Sequence, residues 1–214
     1  MLPEPEQIRS IVFDLDGTLY VSQGIADDIW AVACELVAET RGFRVEKGQE
    51  ILAGAKRRLA EVLEEEPTLT RTCLELGIEV PELHRRLQDR VRPERHLDHD
   101  PVLCALLDSL RERCDLYIYT NNSLPLSRRI LALLGADEFF NRLFTIEFTW
   151  RPKPDLETLE RLLEAIGGPP ESFLFVGDRQ QVDLKLPRTL GIPTLRVGEV
   201  VDLLQIHKLM GIIP

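Results

Sequence analysis

The sequence predicts an α/β protein, a parallel sheet alternating with helices and interrupted early by a small all-helical block. Three observations carry that prediction. An apolar run near the start, Ile11-Val12-Phe13, stops on two aspartates. Residues 21–96 then show helical periodicity and no convincing strand. From residue 101 onward strand-like and helix-like segments alternate, the pattern of parallel α/β sheets.

Ile11 to Phe13 are strand-prone, and Gly17-Thr18 supplies the stop. Between them, a period of two puts Asp14 and Asp16 on one side of the extended chain and Leu15 on the other. Carboxylates that close repel each other unless a cation or a proton lies between them. The same residues also fit a capped turn with solvated acids or a calcium-binding loop, so the rest of the chain has to decide.

In the helical block, apolar residues at 25, 29, 32, 33, 36 and 37 recur at helical spacing until Arg41-Gly42. A second helix is expected over 47–64, with Ile51, Leu52, Leu59, Val62 and Leu63 on its apolar face. Pro67 breaks the chain, and Thr68 or Thr70 caps a short third helix ending at Leu76-Gly77. Pro81 sits where a first helical turn tolerates proline, opening a fourth helix to Val91. Residues 92–101 read as a return linker. His96, Asp98, His99 and Asp100 there resemble metal ligands, but loop His and Asp are usually solvated and a metal needs fixed geometry.

The second half predicts a helix over 102–113, a strand over 116–120 and a helix over 126–134. A short strand over 143–146, a helix over 156–166 and a strand over 173–176 follow. A helical segment to Leu190, a strand over 194–197 and an amphipathic tail over 200–210 complete it. The apolar residues of 203–213 are expected to pack on their own core or on a neighbour.

Composition narrows the function classes. A net charge of −10 argues against a nucleic-acid polymer as partner, since that needs a concentrated basic face. A small phosphorylated ligand is compatible, because a bound cation reverses the field inside one cleft. No apolar run approaches the roughly 18 residues that span a bilayer, so no membrane partner is expected. The acidic, proline-bearing start shows no signal-peptide pattern, and a cytoplasmic address is the expectation. Cys34, Cys73, Cys104 and Cys114 lack Cys-x-x-Cys spacing and read as reduced, mostly buried thiols.

The carboxyl ends of parallel strands line up along one edge, where ligands bind. Asp14 and Asp16, then Thr120 and Asn121, then Asp178 all follow strands, and Lys153 stands between two prolines with Asp183 further on. A hydroxyl, a lysine and several carboxylates together suit Mg²⁺ and a phosphoryl group. Each also has an ordinary use: Thr120 as a strand end, Lys153 as a solvated turn lysine, Gly177-Asp178 as a turn, Asp183 as a helix ion pair. Their joint occurrence in this order favours function.

Asp14-Leu-Asp16-Gly-Thr-Leu, Thr120-Asn121, Lys153-Pro and Gly-Asp178 with Asp183 resemble the four motifs of the haloacid dehalogenase superfamily, the aspartate-nucleophile phosphatases. The resemblance covers residues 8–20 and 101–197. It implies a three-layer Rossmann-like core of residues 1–20 and 97–214, with residues 21–96 as a helical cap between the first and second motifs. By resemblance, Asp14 is the nucleophile and Asp16 the acid and base. Mg²⁺ is held by Asp14, Asp178 and the backbone carbonyl of Asp16. Thr120 and Asn121 bind phosphate, Lys153 offsets charge, and Asp183 orients the lysine or a metal-bound water.

Asp16 favours phosphate ester hydrolysis over dehalogenation, and a phosphonatase would recruit a cap lysine that the helices do not reveal. The expected substrate is a small phosphorylated metabolite, a nucleoside monophosphate or phosphoglycolate. A sugar phosphomutase of the same fold and a retired binding protein remain alternatives, and either a monomer or a homodimer is compatible. Arg179 departs from the small residue the family often carries there and is expected to face solvent. Residues 18–24 and 92–101 are expected to act as hinges.

Overall fold

Five strands, β1 (Ser10–Phe13), β2 (Asp115–Tyr119), β3 (Arg142–Phe144), β4 (Phe173–Gly177) and β5 (Thr194–Arg196), pair in the order β3-β2-β1-β4-β5. Every pair is parallel. The structure is a computed structural model and describes residues 8–63 and 66–212. β1 is central and wholly buried, which explains why it reads as an unbroken apolar run rather than an alternating one. Ile11 and Phe13 turn to one face with Leu116, Ile118 and Val176, while Val12 turns to the other with Phe144, Phe173 and Phe175. On the first face lie α5 (Pro101–Arg111) and α6 (Leu124–Leu134), and on the second α7 (Leu156–Ile166). These are the three layers of the α/β core.

After β1 the chain forms α1 (Gln23–Arg41), α2 (Val45–Leu63), α3 (Leu69–Glu75) and α4 (Val80–Arg90), packed on one another. Ser22 caps α1 by accepting from Ile25 N–H, and Gly42 closes it in the left-handed region at φ 67°. Leu52 of α2 and Leu83 of α4 are fully buried, each contributing about 2 kcal/mol of apolar transfer. Their apolar cluster is continuous with that of the first sheet face, so the bundle is seated on the core.

Several boundaries differ from expectation. α2 begins at Val45, and residue 64 lies outside the described residues. Thr68, not Thr70, caps α3, accepting from Arg71 N–H at 3.2 Å. β3 ends at Phe144 instead of continuing to Ile146, because Ile146 N–H leaves the ladder for the Asn122 carbonyl. In the linker, Asp100 caps α5 through Val102 and Leu103 N–H, and His96 Nε2 lies 3.1 Å from Asp28 Oδ2 of α1. A short helix α8 (Lys185–Thr189) precedes β5, and the tail forms a 3-10 turn and then α9 (Leu204–Leu209). Leu203, Ile206 and Met210 enter the main cluster, so among the described residues the tail packs on its own core. All four cysteines are unpaired, and Cys104 alone is not fully buried. Among the described residues no helix is long and apolar enough to cross a membrane.

Candidate active site

The chain runs from β1 outward through β2 to β3, then returns across the sheet to β4 and β5. The crossover places the end of β1 beside the end of β4, the switch point at which α/β sheets bind ligands. Asp14 continues β1 by donating its N–H to the Val176 carbonyl at 2.8 Å, and Asp178 follows β4 directly. Thr120 follows β2 on the other side. Asp14, Asp16, Thr120, Asn121, Lys153, Asp178 and Asp183 all line one cavity of about 440 Å³.

Lys153 organises its floor. Its ammonium donates to Asp14 Oδ1 at 2.6 Å, Asp183 Oδ1 at 2.7 Å and the Tyr119 carbonyl at 2.9 Å. That uses all three protons. The lysine reaches this point because its loop is pinned: Lys153 N–H donates to Asn121 Oδ1 at 2.7 Å, and the following bond to Pro154 is cis. Burial alone would lower the lysine pKa, but Asp14 and Asp183 hold it above its ordinary value. Burial raises Asp14 well above the carboxylate range, with Lys153 acting in the opposite direction.

Asp16 is held from two sides, by Asn122 Nδ2 on Oδ2 at 2.7 Å and by the Tyr20 hydroxyl on Oδ1. Loss of hydration raises its pKa, and these two donors oppose the rise. The short loop that returns Tyr20 over Asp16 turns at Gly17, whose φ is 83°. A Cβ there would stand 2.6 Å from Asp178 Oδ2, so glycine is required by both conformation and space.

Asp183 sits in a π-helical turn, Gln180–Leu184, with Oδ2 accepting from Arg179 N–H at 3.0 Å. Such turns are rare and often lie at functional sites. The carboxylate oxygens of Asp14, Asp178 and Asp183 lie within 4.8 Å of one another. Both oxygens of Asp183 are committed, whereas Asp178 Oδ1 is buried without a partner. Burial, and then the Asp183 charge, pushes the Asp178 pKa up to about 6. An orphaned, hard oxygen among acids is what a divalent cation such as Mg²⁺ fits.

Thr120 is buried, and its Oγ1 accepts from Asn122 N–H at 3.1 Å while keeping its own proton to donate. Asn121, expected to bind phosphate, lines the cavity, and its Oδ1 accepts from Lys153 N–H, which leaves the Nδ2 donors as the groups able to meet an anion. Two expectations are overturned. Arg179 does not simply face solvent: it lines the cavity and its guanidinium donates to the Glu66 carbonyl between α2 and α3. The helices do present a lysine to the cavity, Lys56 of α2. Tyr20, Asn122, Lys56, Trp30 and His84 are cavity residues that sequence reasoning missed. Only Tyr20 and Asn122 carried any signal, by adjacency to motif residues.

A family model for haloacid dehalogenase-like hydrolases matches residues 8–191. The chain belongs to that family. A phosphoglycolate phosphatase from Cereibacter sphaeroides is 30% identical over 85% of this chain and 81% of its own length. A pyrophosphatase from Halalkalibacterium halodurans is 26% identical over 90% of this chain and 84% of its own. The magnesium-bound HAD hydrolase YfnB from Bacillus subtilis, in a crystal form reported to reveal interdomain movement, shares the fold. It has a TM-score of 0.57 and 20% identity, covering 96% of this chain and 99% of that one. As a haloacid dehalogenase-like hydrolase, the chain carries its buried lysine and acids at the edge where this fold exposes its strand ends.

Proposed function

We propose that this hydrolase is a Mg²⁺-dependent phosphatase that cleaves a small phosphomonoester through an aspartyl phosphate. One observation carries the proposal: Asp14, Asp16, Thr120 and Asp178 line a single cavity in which a buried carboxylate oxygen of Asp178 has no partner. Asp14, Asp178 and the Asp16 carbonyl would hold the cation, which when bound offsets the charge of carboxylates and phosphoryl group.

Asp14 attacks phosphorus, and the bond from phosphorus to the leaving oxygen breaks as Asp16 delivers a proton to it. Water then attacks the phosphorus of the aspartyl phosphate, Asp16 takes the water proton, and the bond from phosphorus to Asp14 breaks to release phosphate. Throughout, the Thr120 hydroxyl donates to a phosphoryl oxygen and Lys153 offsets charge on Asp14. Asp183 keeps Lys153 in place. The phosphatase and pyrophosphatase names of the relatives agree with this chemistry and support phosphoglycolate among the candidate substrates.

Residues 21–96 form the cap in this reading, opening and closing over a core of residues 1–20 and 97–214. His96 of the second crossing segment lies against Asp28 of α1, and the interdomain movement reported for the Bacillus subtilis hydrolase is in keeping with such a motion. The test is hydrolysis of p-nitrophenyl phosphate with Mg²⁺, with a chelator, and by an Asp14→Asn variant. Mg²⁺-dependent release of phosphate is expected, with at least about a 10³-fold loss in the variant. Wild-type turnover by Asp14→Asn would sink the nucleophile assignment, and an isomerised sugar phosphate in place of released phosphate would mark a mutase.

A further inference from the structure

Among the described residues, three cations line the cavity: Lys153, Lys56 and Arg179. Lys153 has no proton left to offer a ligand. Lys56 lies over the Trp30 ring at 5.6 Å, and its ammonium is 2.5 Å from Glu66 Oε1. Arg179, from the opposite side, donates to the carbonyl of the same Glu66. Both spare cations are therefore occupied by one residue that does not itself line the cavity and whose side chain is 70% exposed. An ion pair so exposed is weak, so an anion inside the cavity competes well against it.

A second observation points to a ligand in the same cavity. His84 is 3% exposed and lines the cavity, yet its Nδ1 has no partner; Nε2 lies 3.1 Å from Thr70 Oγ1. A buried imidazole nitrogen left unpaired costs about 1–3 kcal/mol. Burial lowers the His84 pKa to about 4, so the ring offers a hydrogen bond without a second positive charge. Around these groups the wall is apolar, formed by Ile25, Ile29, Leu69 and Leu87.

We propose that Lys56 and Arg179 form a second oxyanion subsite, so that the preferred substrate carries a carboxylate or a further phosphate on the group that leaves phosphorus. This rests on the phosphomonoester hydrolase reading of the floor. It sets uncharged leaving groups apart, including the nucleoside of a nucleoside monophosphate. Glu66 acts as a built-in occupant that the substrate anion displaces.

Kinetics of the full chain with Mg²⁺ on phosphoglycolate, pyrophosphate and 2-hydroxyethyl phosphate test this, since the last is a neutral analogue of the first. At least one anionic substrate is expected to exceed the neutral ester in kcat/KM by about tenfold or more, and the better of the two distinguishes carboxylate from phosphate. Lys56→Met should bring the ratio near one through KM, Lys56→Arg should restore it, and Glu66→Gln should lower KM for the anionic substrate. Equal kcat/KM for all three in the wild type overturns the subsite, as does an unchanged ratio in Lys56→Met. Calorimetric binding of the same three compounds to Asp14→Asn makes the comparison independent of turnover. Selective binding without hydrolysis by the wild type would overturn the phosphatase reading and keep the subsite; binding blind to the second anion would overturn the subsite.

Discussion

On the sheet side of the cavity the polar atoms are bound to one another: three partners on Lys153, two donors on Asp16, two on Asp183. On the helical side the wall is mostly apolar, His84 Nδ1 is unpaired, and Lys56 rests on an exposed glutamate that Arg179 also reaches from the sheet side. The first arrangement is rigid because moving any member exposes a buried charge. The second is loosely committed, so a ligand can rearrange it at small cost. In the proposed reaction the chemistry would belong to the floor and substrate choice to the roof.

The strongest way to break that contrast is Lys153→Met. It leaves Asp14 and Asp183 buried without a counter-charge and should destabilise the chain by about 3–5 kcal/mol in urea unfolding. A loss below about 1 kcal/mol would show that the floor is not held by this ion cluster.

Next is the acid response of the roof. His84 in the folded state is held down to about 4, below its ordinary 6.5. The unfolded chain therefore binds this proton more readily, and stability falls as pH drops from about 6.5 toward 4. The contribution is up to about 3 kcal/mol. Unfolding of His84→Leu and wild type across that window should diverge in slope, and parallel curves would refute the assignment.

Tyr20→Phe sharpens the contrast from the floor. Removing the phenol takes away a donor that favours ionised Asp16, so kcat should fall about tenfold and the acidic limb of its pH profile should move up. A change confined to KM would place Tyr20 with the substrate instead. The smallest effect is expected at the cap of α3, where Thr68→Ala removes one side-chain acceptor and should cost about 1 kcal/mol of thermal stability. Turnover numbers should barely move unless α3 positions the wall.

The floor was legible in the chain because each member sits next to a local signal: Asp14 and Asp16 after an apolar strand, Asp178 after Gly177, Lys153 between prolines. Parallel strands then bring those signals to one edge without further information. Thr68 was likewise findable as a cap, although Thr68 and Thr70 looked equivalent until hydrogen bonds separated them, whereas the capping roles of Ser22 and Asp100 emerged only in the structure. β3 was misjudged because an edge strand of three residues carries too little pattern to fix its end. Arg179 was misjudged because nothing local says which way a first-turn side chain points.

By itself the sequence determined the α/β alternation, the helical block after β1, and the identities of the acids, hydroxyl and lysine that gather at the strand ends. Those are properties of short segments, governed by periodicity and turn chemistry. The tertiary structure alone decided that Lys153 spends every proton on Asp14, Asp183 and Tyr119, that Arg179 reaches Glu66, and that Lys56, Trp30 and His84 line one cavity. Contacts between elements far apart in the chain depend on helix orientation and side-chain direction, and no local pattern encodes either.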